Sequence, residues 1–320
     1  MSLLKNVTPT NYLEEKDKFF RDPYYNPQFI YPDLDPNDQL GVFGQPKNDY
    51  LEKAKHIVEK AYFGRNEQDI LMSEGRLLSQ AEVTEKFTSF LKLHDLENRY
   101  QIIWSSSFVS RASINADTIK LKTSAEFRKE GVIGLLYHEI GTHALRRINY
   151  EQQPWFKKKQ KYGFQDYLRT EEGLAVLHFL LPHSFKSAVS SALRYLAIAY
   201  AQQHSFAETW AYIEPYIHNQ ETRWMVTFRQ KRGMADTSQP GGFTKDLVYF
   251  EGAVETARWL DANDYNLEPL YYGKLAAEDA QKAVNENANF RPLLPSFYRV
   301  DQEKYAEGIK EIAMYNNFLE

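Results

Sequence analysis

The heptapeptide YHEIGTH at residues 137–143 restricts the possible folds of this chain more than any other stretch. It places Glu139 directly after His138 and a second histidine, His143, five residues after the first. In the related His-Glu-x-x-His helix, two metal ligands share one face and a general base lies beside them. Here one extra residue turns the histidines about 140° apart on a regular helix, instead of about 40°. The two imidazole rings could not then bind the same ion.

A local expansion of the helix removes this conflict. A π-turn absorbs one extra residue, returns both rings to one face, and occurs most often at functional sites. Gly141, between the two histidines, supplies backbone freedom where the turn needs it. We therefore predict a π-bulge between His138 and His143. The alternative is two ordinary histidines in a core helix, but a buried helix rarely carries His, Glu and His without partners, and a divalent cation would be such a partner.

The sequence around the heptapeptide predicts a buried helix preceded by strands. Residues 123–126, TSAE, are typical of a capping box at the start of the helix. Residues 118–122 alternate between apolar and polar side chains, and residues 100–106 are rich in strand-forming residues, so both segments are predicted strands. A strand beside an active-site helix often presents its edge to an extended peptide, and we expect residues 118–122 to be such an edge.

Composition excludes several classes of protein. The formal net charge is -4 over 320 residues, so there is no basic excess for nucleic-acid binding. Cysteine is absent, which excludes disulfides and a thiolate zinc site and is typical of a reducing compartment. No apolar run approaches the length of a transmembrane helix, and the first residues do not resemble a signal peptide. We expect a soluble, cytoplasmic protein that binds neither nucleic acid nor membrane.

The chain divides by composition into an arm and a domain. Residues 1–47 hold six of the 13 prolines and predict an extended or partly disordered N-terminal arm, anchored by Phe29, Tyr31 and Leu34. Residues 48–320 predict a single domain that is mostly helical after residue 165. The predicted fold class is mainly α with a small β-sheet, that is, α+β.

A catalytic zinc usually keeps three protein ligands and one open position, so a third ligand must come from elsewhere in the chain. The pair Glu171-Glu172, on an apolar helix shortly downstream, is the candidate. An unpaired carboxylate buried there would be costly. The alternative is an acidic first turn that suits the helix dipole, with Thr170 as the N-cap.

The two stretches together, HEIGTH at 138–143 and EEGLA at 171–175, resemble the metallopeptidase family that carries His-Glu-x-x-x-His and QEGLA signatures. Its eukaryotic members are the microtubule-associated tyrosine carboxypeptidases, which remove the C-terminal tyrosine of α-tubulin. Its bacterial members are often named flavohemoglobin-expression-modulating QEGLA proteins. The resemblance covers about residues 25–315. It implies a zincin-like core, one Zn²⁺ per chain held by His138, His143 and Glu172, and Glu139 as general base. Residue 171 is Glu where the bacterial signature has Gln.

A carboxypeptidase must also bind the terminal carboxylate of its substrate. Arginine does this with a bidentate fork and lysine with a point charge. The family-like stretches at 228–233 and 242–249 offer four candidate substrate-binding residues, Arg229, Arg232, Lys245 and Tyr249. The alternative for each is a surface charge or a salt bridge. The basic segment 157–161 could likewise be a rim for an acidic substrate or merely a solvated loop.

The resulting hypothesis is a zinc-dependent metallocarboxypeptidase that removes a C-terminal residue, tyrosine or another aromatic by resemblance, from a peptide or protein. Tubulin would be relevant only where the host contains it or is targeted. One alternative is a catalytically weak or inactive regulatory or binding protein of the bacterial type. The other is a zinc endopeptidase, which would cut peptides with blocked C-termini equally well.

Overall fold

The computed structural model describes residues 7–32, 40–106 and 110–320. Within these, the helices before the sheet are α1 (Tyr12–Arg21), α2 (Asn48–Tyr62), α3 (Glu67–Met72) and α4 (Gln80–Lys92). The strands are β1 (Gln101–Ser105), β2 (Ala112–Ile114) and β3 (Thr118–Lys122). After the sheet come α5 (Lys129–Leu136), a π-helix (Tyr137–Ala144), α6 (Leu145–Glu151), α7 (Leu168–Leu180), α8 (Val189–Ala201), α9 (Phe206–Ile213), α10 (Gln220–Lys231), α11 (Leu247–Ala262), α12 (Ala280–Glu286), α13 (Ser296–Arg299) and α14 (Gln302–Tyr315).

Short 3₁₀-helices lie at Lys159–Tyr162, Thr244–Asp246, Glu268–Tyr271 and Ala277–Asp279. Of the residues that the structure describes, 55% are helical and three short strands form a sheet, so the predicted α+β class is confirmed. Of the helices in the described segments, none has both the length and the apolar character needed to cross a membrane.

The chain forms two compact units, which differ from the predicted division into an arm and one domain. The first unit comprises residues 1–69 and 188–250, and the second comprises residues 70–187 and 251–320. An arm of residues 1–47 and a single catalytic domain of residues 48–320 therefore stay a prediction.

Part of the predicted arm is helical rather than extended. Helix α1 lies between Pro9 and Pro23, so these prolines bound a helix instead of excluding one. Its Phe19 is fully buried and packs edge-on against Phe206 at a ring-centroid distance of 5.0 Å. Two of the expected anchors, Phe29 (buried) and Tyr31 (whose hydroxyl accepts a hydrogen bond from a backbone N–H), are in place. Leu34 lies outside the described residues.

The sheet has the strand order β1-β3-β2. β1 pairs with β3 in parallel and β2 pairs with β3 antiparallel, so both predicted strands are confirmed. Ile119 and Leu121 of β3 are fully buried and face the core. The prediction that β3 forms an edge is wrong, because β2 covers it. With only three residues, β2 is too short to show an alternating pattern in the sequence.

The helix that carries the histidines runs without interruption from α5 through the π-helix into α6. The predicted capping box at residues 123–126 is wrong, since α5 begins at Lys129 with Arg128 at the N-cap and no side-chain cap. The backbone explains the difference. Lys129 N–H donates to the carbonyl of Arg76, and Leu78 N–H donates to that of Phe127, so main-chain pairing takes the role of a cap.

Helix α7 packs closely against α11 at a pair of glycines. A Cβ on Gly173 would overlap the backbone carbonyl of Gly252, and a Cβ on Gly252 would overlap the carbonyl of Arg169. The two backbones are therefore in direct contact. This contact explains why glycine follows Glu172 in the sequence. It also sets the position of the first turns of α7 within the second unit.

We expect Gly173→Ala to lower the free energy of unfolding by about 1–3 kcal/mol or more, because a methyl group must push two backbones apart. Gly308→Ala is the matched control, since that helical glycine would meet only the end of the flexible Leu181 side chain, at 2.8 Å. Alanine there gains helix propensity of up to about 1 kcal/mol. Urea unfolding measures both. Equal stability of the two variants would contradict the backbone contact.

Candidate metal site

The predicted expansion of the helix is confirmed. The π-helix spans Tyr137–Ala144, eight residues that include both histidines. Because its hydrogen bonds join residues five apart, residues at that spacing lie on the same face. The ring centroids of His138 and His143 are 4.8 Å apart, and their Nε2 atoms are 3.2 Å apart. The unusual spacing therefore brings the two imidazoles together.

Two side chains stabilise the π-helix, one from outside it (Tyr271) and one from within it (Thr142). The Tyr271 hydroxyl donates to the carbonyl of Gly141 at 2.5 Å, and the Thr142 hydroxyl donates to the carbonyl of Tyr137 at 3.0 Å. A side chain at position 141 is excluded, because its Cβ would lie 2.7 Å from the Phe297 ring. Close packing against Phe297 thus requires glycine at position 141.

A buried hydrogen-bonded chain ties the π-helix to α7. The Tyr305 hydroxyl donates to His178 Nε2 (3.1 Å), and His178 Nδ1 donates to the Thr142 hydroxyl (2.7 Å). His178 is fully buried, and this burial lowers its pKa to about 3. The imidazole is therefore neutral, and it bonds through both nitrogens, as a buried polar group requires.

Hydrogen bonds determine which nitrogen of each site histidine carries its proton. His138 Nδ1 lies 3.1 Å from the carbonyl oxygen of Ala175, and His143 Nδ1 lies 2.9 Å from a carboxylate oxygen of Glu171. Both partners are acceptors, so each Nδ1 holds a proton and each Nε2 presents a lone pair.

The two Nε2 lone pairs therefore face each other, and a proton or a metal cation must lie between them. Ligand atoms about 2.0–2.1 Å from a tetrahedral zinc lie about 3.3 Å from one another. The 3.2 Å separation of the Nε2 atoms is close to that value. The third member is Glu172, with Oε2 3.7 Å from His143 Nε2. Ligand atoms of all three residues lie within 4.8 Å of one another, so this group can hold a metal ion.

Glu171 has a different position from Glu172. Its carboxylate accepts hydrogen bonds from His143 Nδ1, from Arg146 at 3.0 Å and from Lys274 at 2.5 Å. It is 2% exposed. Burial would raise its pKa, but the charges of Lys274 and Arg146 and the bond to His143 outweigh burial and hold the pKa well below its usual range. Glu171 therefore orients a histidine from behind, the arrangement that metal-binding histidines usually have.

Sequence reasoning missed Arg146, Lys274 and Tyr271. Arg146 is fully buried, and its remaining nitrogens donate to the carbonyls of Leu270 and Leu275. The segment 270–275 is thus bound to the π-helix and α6 by several hydrogen bonds. No local pattern could reveal this, because the partners are separated by more than 100 residues.

Glu139 lies beside His138, His143 and Glu172, the three residues that we call the metal-competent group. It is 6% exposed, and a backbone hydrogen bond from Ile114 on β2 reaches its carboxylate. Burial raises the pKa of Glu139 to about 7, with the negative charge of Glu172 acting in the same direction. The protonated form of His143 is also favoured, since the nearby carboxylates outweigh burial and raise the pKa of His143. The site therefore favours an added positive charge.

The four predicted substrate-binding residues belong to the first unit, whereas the metal-competent group belongs to the second. Arg229 forms a two-pronged ion pair with Asp246, at 3.0 and 2.5 Å, and a side-chain hydrogen bond with Tyr249. Its guanidinium is therefore already engaged. Lys245 lies in a 3₁₀-helix of the same unit.

Arg232 is the unusual member of this set. It is 7% exposed, its guanidinium lies 4.9 Å from the Phe243 ring centroid, and its Nε has no hydrogen-bond partner among the described residues. Burial, with the like charge of Arg229, lowers the pKa of Arg232 to about 10. A buried cation with an unpaired donor is costly unless it is compensated.

Comparison with known proteins supplies the class and then the family. Relatives that cover nearly the whole chain bear the name tyrosine carboxypeptidase, which supports a peptidase with carboxypeptidase-like function. The chain belongs to the microtubule-associated tyrosine carboxypeptidase family, whose sequence profile matches residues 37–319.

Microtubule-associated tyrosine carboxypeptidase 1 of Rattus norvegicus is 30% identical over 328 residues, which cover 99% of this chain and 69% of the relative. The proteins of the same name from Mus musculus and Homo sapiens are each 30% identical over 326 residues, with the same coverage.

The hydroxyl of Tyr271 offers a direct test of the support for the π-helix. Tyr271→Phe leaves the buried carbonyl of Gly141 without that partner, so we expect a loss of about 1–3 kcal/mol in unfolding free energy. We also expect divalent-metal affinity to fall by about tenfold, as for other supporting contacts. Tyr272→Phe is the control, because its hydroxyl bonds the carbonyl of Phe290, away from the π-helix. Chelator competition measures affinity, and equal affinities in the two variants would refute the role of Tyr271.

Proposed function

We propose that the chain is a zinc-dependent metallocarboxypeptidase that removes one C-terminal residue, preferably tyrosine or another aromatic, from a peptide or protein. One observation carries the proposal. His138, His143 and Glu172 converge beside the buried Glu139, in a chain whose relatives are named tyrosine carboxypeptidases. A zincin-like core and a cytoplasmic location are parts of the same proposal.

The donor set suits zinc. Two imidazole nitrogens and one carboxylate are typical of a catalytic zinc site, in which a fourth position stays open. Both histidines already present Nε2 towards each other, with Nδ1 bound to Ala175 and Glu171. A zinc ion held there would supply a Lewis acid for the scissile carbonyl and an activated water.

Glu139 is proposed as the general base. Its pKa of about 7 is near the working pH, which is the value that favours proton transfer in both directions. The carboxylate would accept a proton from the attacking water and then donate it to the leaving amine. The backbone N–H of Ile114 on β2 donates a hydrogen bond to this carboxylate and so restricts its orientation.

The substrate is proposed to be the C-terminus of a peptide or protein. The relatives are named microtubule-associated tyrosine carboxypeptidases, which supports a terminal tyrosine as the residue removed by this chain. Binding of the terminal carboxylate by Arg229, Arg232, Lys245 and Tyr249 stays a prediction. Within the described residues, the Nε of Arg232 has no hydrogen-bond partner, which favours the prediction, whereas Arg229 already pairs with Asp246.

The metal assignment is tested by substitution. We expect one zinc per chain, lost in His143→Ala because one of the paired nitrogens is removed, and retained in Glu139→Gln, which should nevertheless be inactive. Elemental analysis after gel filtration measures the metal content, and a peptide assay measures activity. Stoichiometric zinc in a His138→Ala, His143→Ala double variant would rule out this ligand set.

A peptide with a free or an amidated C-terminus separates the three candidate activities. A carboxypeptidase should remove one residue from the free peptide and lose about ten- to a hundredfold on amidation, the effect of one charge-assisted bond of about 1.5–3 kcal/mol. Mass spectrometry gives the products. Equal cleavage of both peptides would indicate an endopeptidase, and no cleavage by the zinc-loaded protein would indicate a binding protein.

A further inference from the structure

We propose that Lys274 binds the terminal carboxylate of the substrate, from within the unit that holds the metal-competent group. This inference rests on the proposed function and names a recognition residue that the sequence did not indicate. The requirement is geometric. The scissile carbonyl must lie at the metal, and the carboxylate follows within one residue, about 3.3–3.6 Å of extended chain. The cation that binds it must therefore lie close to the histidines.

Three cations lie around Glu171, directly behind His143. Arg146 is fully buried. Its Nη1 donates to Glu171, and its Nε and Nη2 donate to two backbone carbonyls. Lys159 donates to the carbonyl oxygen of Lys274. Arg146 is inaccessible to a ligand, and burial, with the like charge of Arg146, lowers the pKa of Lys159 to about 8, so Lys159 is the weaker cation.

Lys274 combines solvent access with spare donors, and the charge of Glu171 outweighs burial and raises its pKa, so it stays a cation. Its side chain is 20% exposed, so a ligand can reach it. Its ammonium has three N–H donors, and within the described segments it has one hydrogen-bond acceptor, Glu171 at 2.5 Å. A carboxylate could take the remaining donors without breaking the bond that orients His143.

The local charge also favours an anion. Arg146, Lys159 and Lys274 share one buried counter-ion, Glu171. The exposed Asp166 is a second carboxylate, which acts on Lys159 and on Tyr167. At Glu171 the cations outnumber the carboxylate that they share, so an incoming carboxylate is favoured there, whereas Glu172 lies at Nε2 of His143, where an added cation is favoured. The charge of Lys274 also acts on Glu139, so Lys274 lies within electrostatic reach of the reacting groups.

The position of Lys274 is fixed by its neighbours. Gly273 has φ +118°, which side-chain-bearing residues rarely adopt, and it lies against Tyr150. The Lys274 ammonium lies 5.4 Å from the ring centroid of Tyr167, and that of Lys159 lies 3.7 Å from the same centroid. Cation–π attraction therefore holds both ammonium groups at one ring. The cation is preorganised, which lowers the cost of binding an anion.

The test compares a tyrosine-ending peptide with its C-terminal amide. In Lys274→Met, which keeps the aliphatic stem, we expect kcat/KM for the free peptide to fall about ten- to a hundredfold, and further amidation to cost almost nothing. Lys282→Met is the matched control, because Lys282 also lies near an aromatic ring and donates to a carbonyl but is exposed. It should keep the full cost of amidation.

Two further measurements separate recognition from an effect on the metal. Chelator competition should show zinc affinity in Lys274→Met within about threefold of the unaltered protein, since Arg146 still holds Glu171. In the inactive Glu139→Gln background, calorimetry should show that Lys274→Met removes the preference for the free peptide over the amide. A zinc affinity that falls as much as activity would overturn the proposal, because Lys274 would then act only through Glu171.

The failures of the two proposals are distinguishable. If Lys274→Met keeps the full cost of amidation and Arg232→Ala removes it, Lys274 is wrong while the carboxypeptidase stands. If the protein cleaves no peptide, but calorimetry shows carboxylate preference that depends on Lys274, the carboxylate site stands and the enzymatic proposal fails. Absence of any preference in the binding experiment would also overturn the assignment to Lys274.

Discussion

The five-residue separation of His138 and His143 is the constraint on which the site depends. A regular α-helix would place the two imidazoles on different faces, so the chain must adopt the less favourable π-helical hydrogen bonding. That geometry persists because its neighbours stabilise it. Tyr271 donates to the carbonyl of Gly141, and His178, itself bonded to Tyr305, donates to the hydroxyl of Thr142. The convergence of the histidines is therefore a property of the surrounding core as much as of the heptapeptide.

The same reasoning explains why so many polar groups are buried around the site. Glu171 is tolerated in the core because Arg146, Lys274 and His143 all donate to it. The close contact of Gly173 with Gly252 brings the start of α7 to the depth at which Glu171 lies behind His143 and its neighbour Glu172 lies beside it. The orienting carboxylate and the candidate ligand thus come from consecutive residues with different partners.

The sequence was sufficient for features that depend on local spacing. The expanded turn followed from the position of His143, the strand at 118–122 from alternation, and the strand at 101–105 from its strand-forming residues. The α+β class followed from these few strands and the helical spacing after residue 165. It was insufficient where tertiary contacts decide. Strand β2 is too short to show a pattern, and main-chain pairing replaced the cap expected at residues 123–126. Glu171 and Glu172 are adjacent, so only the rotation of α7 distinguishes them. The segment 270–275 contacts the π-helix although more than 100 residues separate the two in the sequence, so no local sequence pattern could predict this contact.

The central claim is that a π-helical turn forms a metal site from His138, His143 and Glu172. A crystal structure of the zinc-loaded protein, with anomalous scattering data collected at the zinc absorption edge, tests it most directly. The account predicts one anomalous peak about 2.0–2.2 Å from both Nε2 atoms and from the carboxylate of Glu172, above a π-helix over residues 137–144. A peak bound by Glu171 instead, a peak elsewhere, or a regular α-helix through these residues would contradict it.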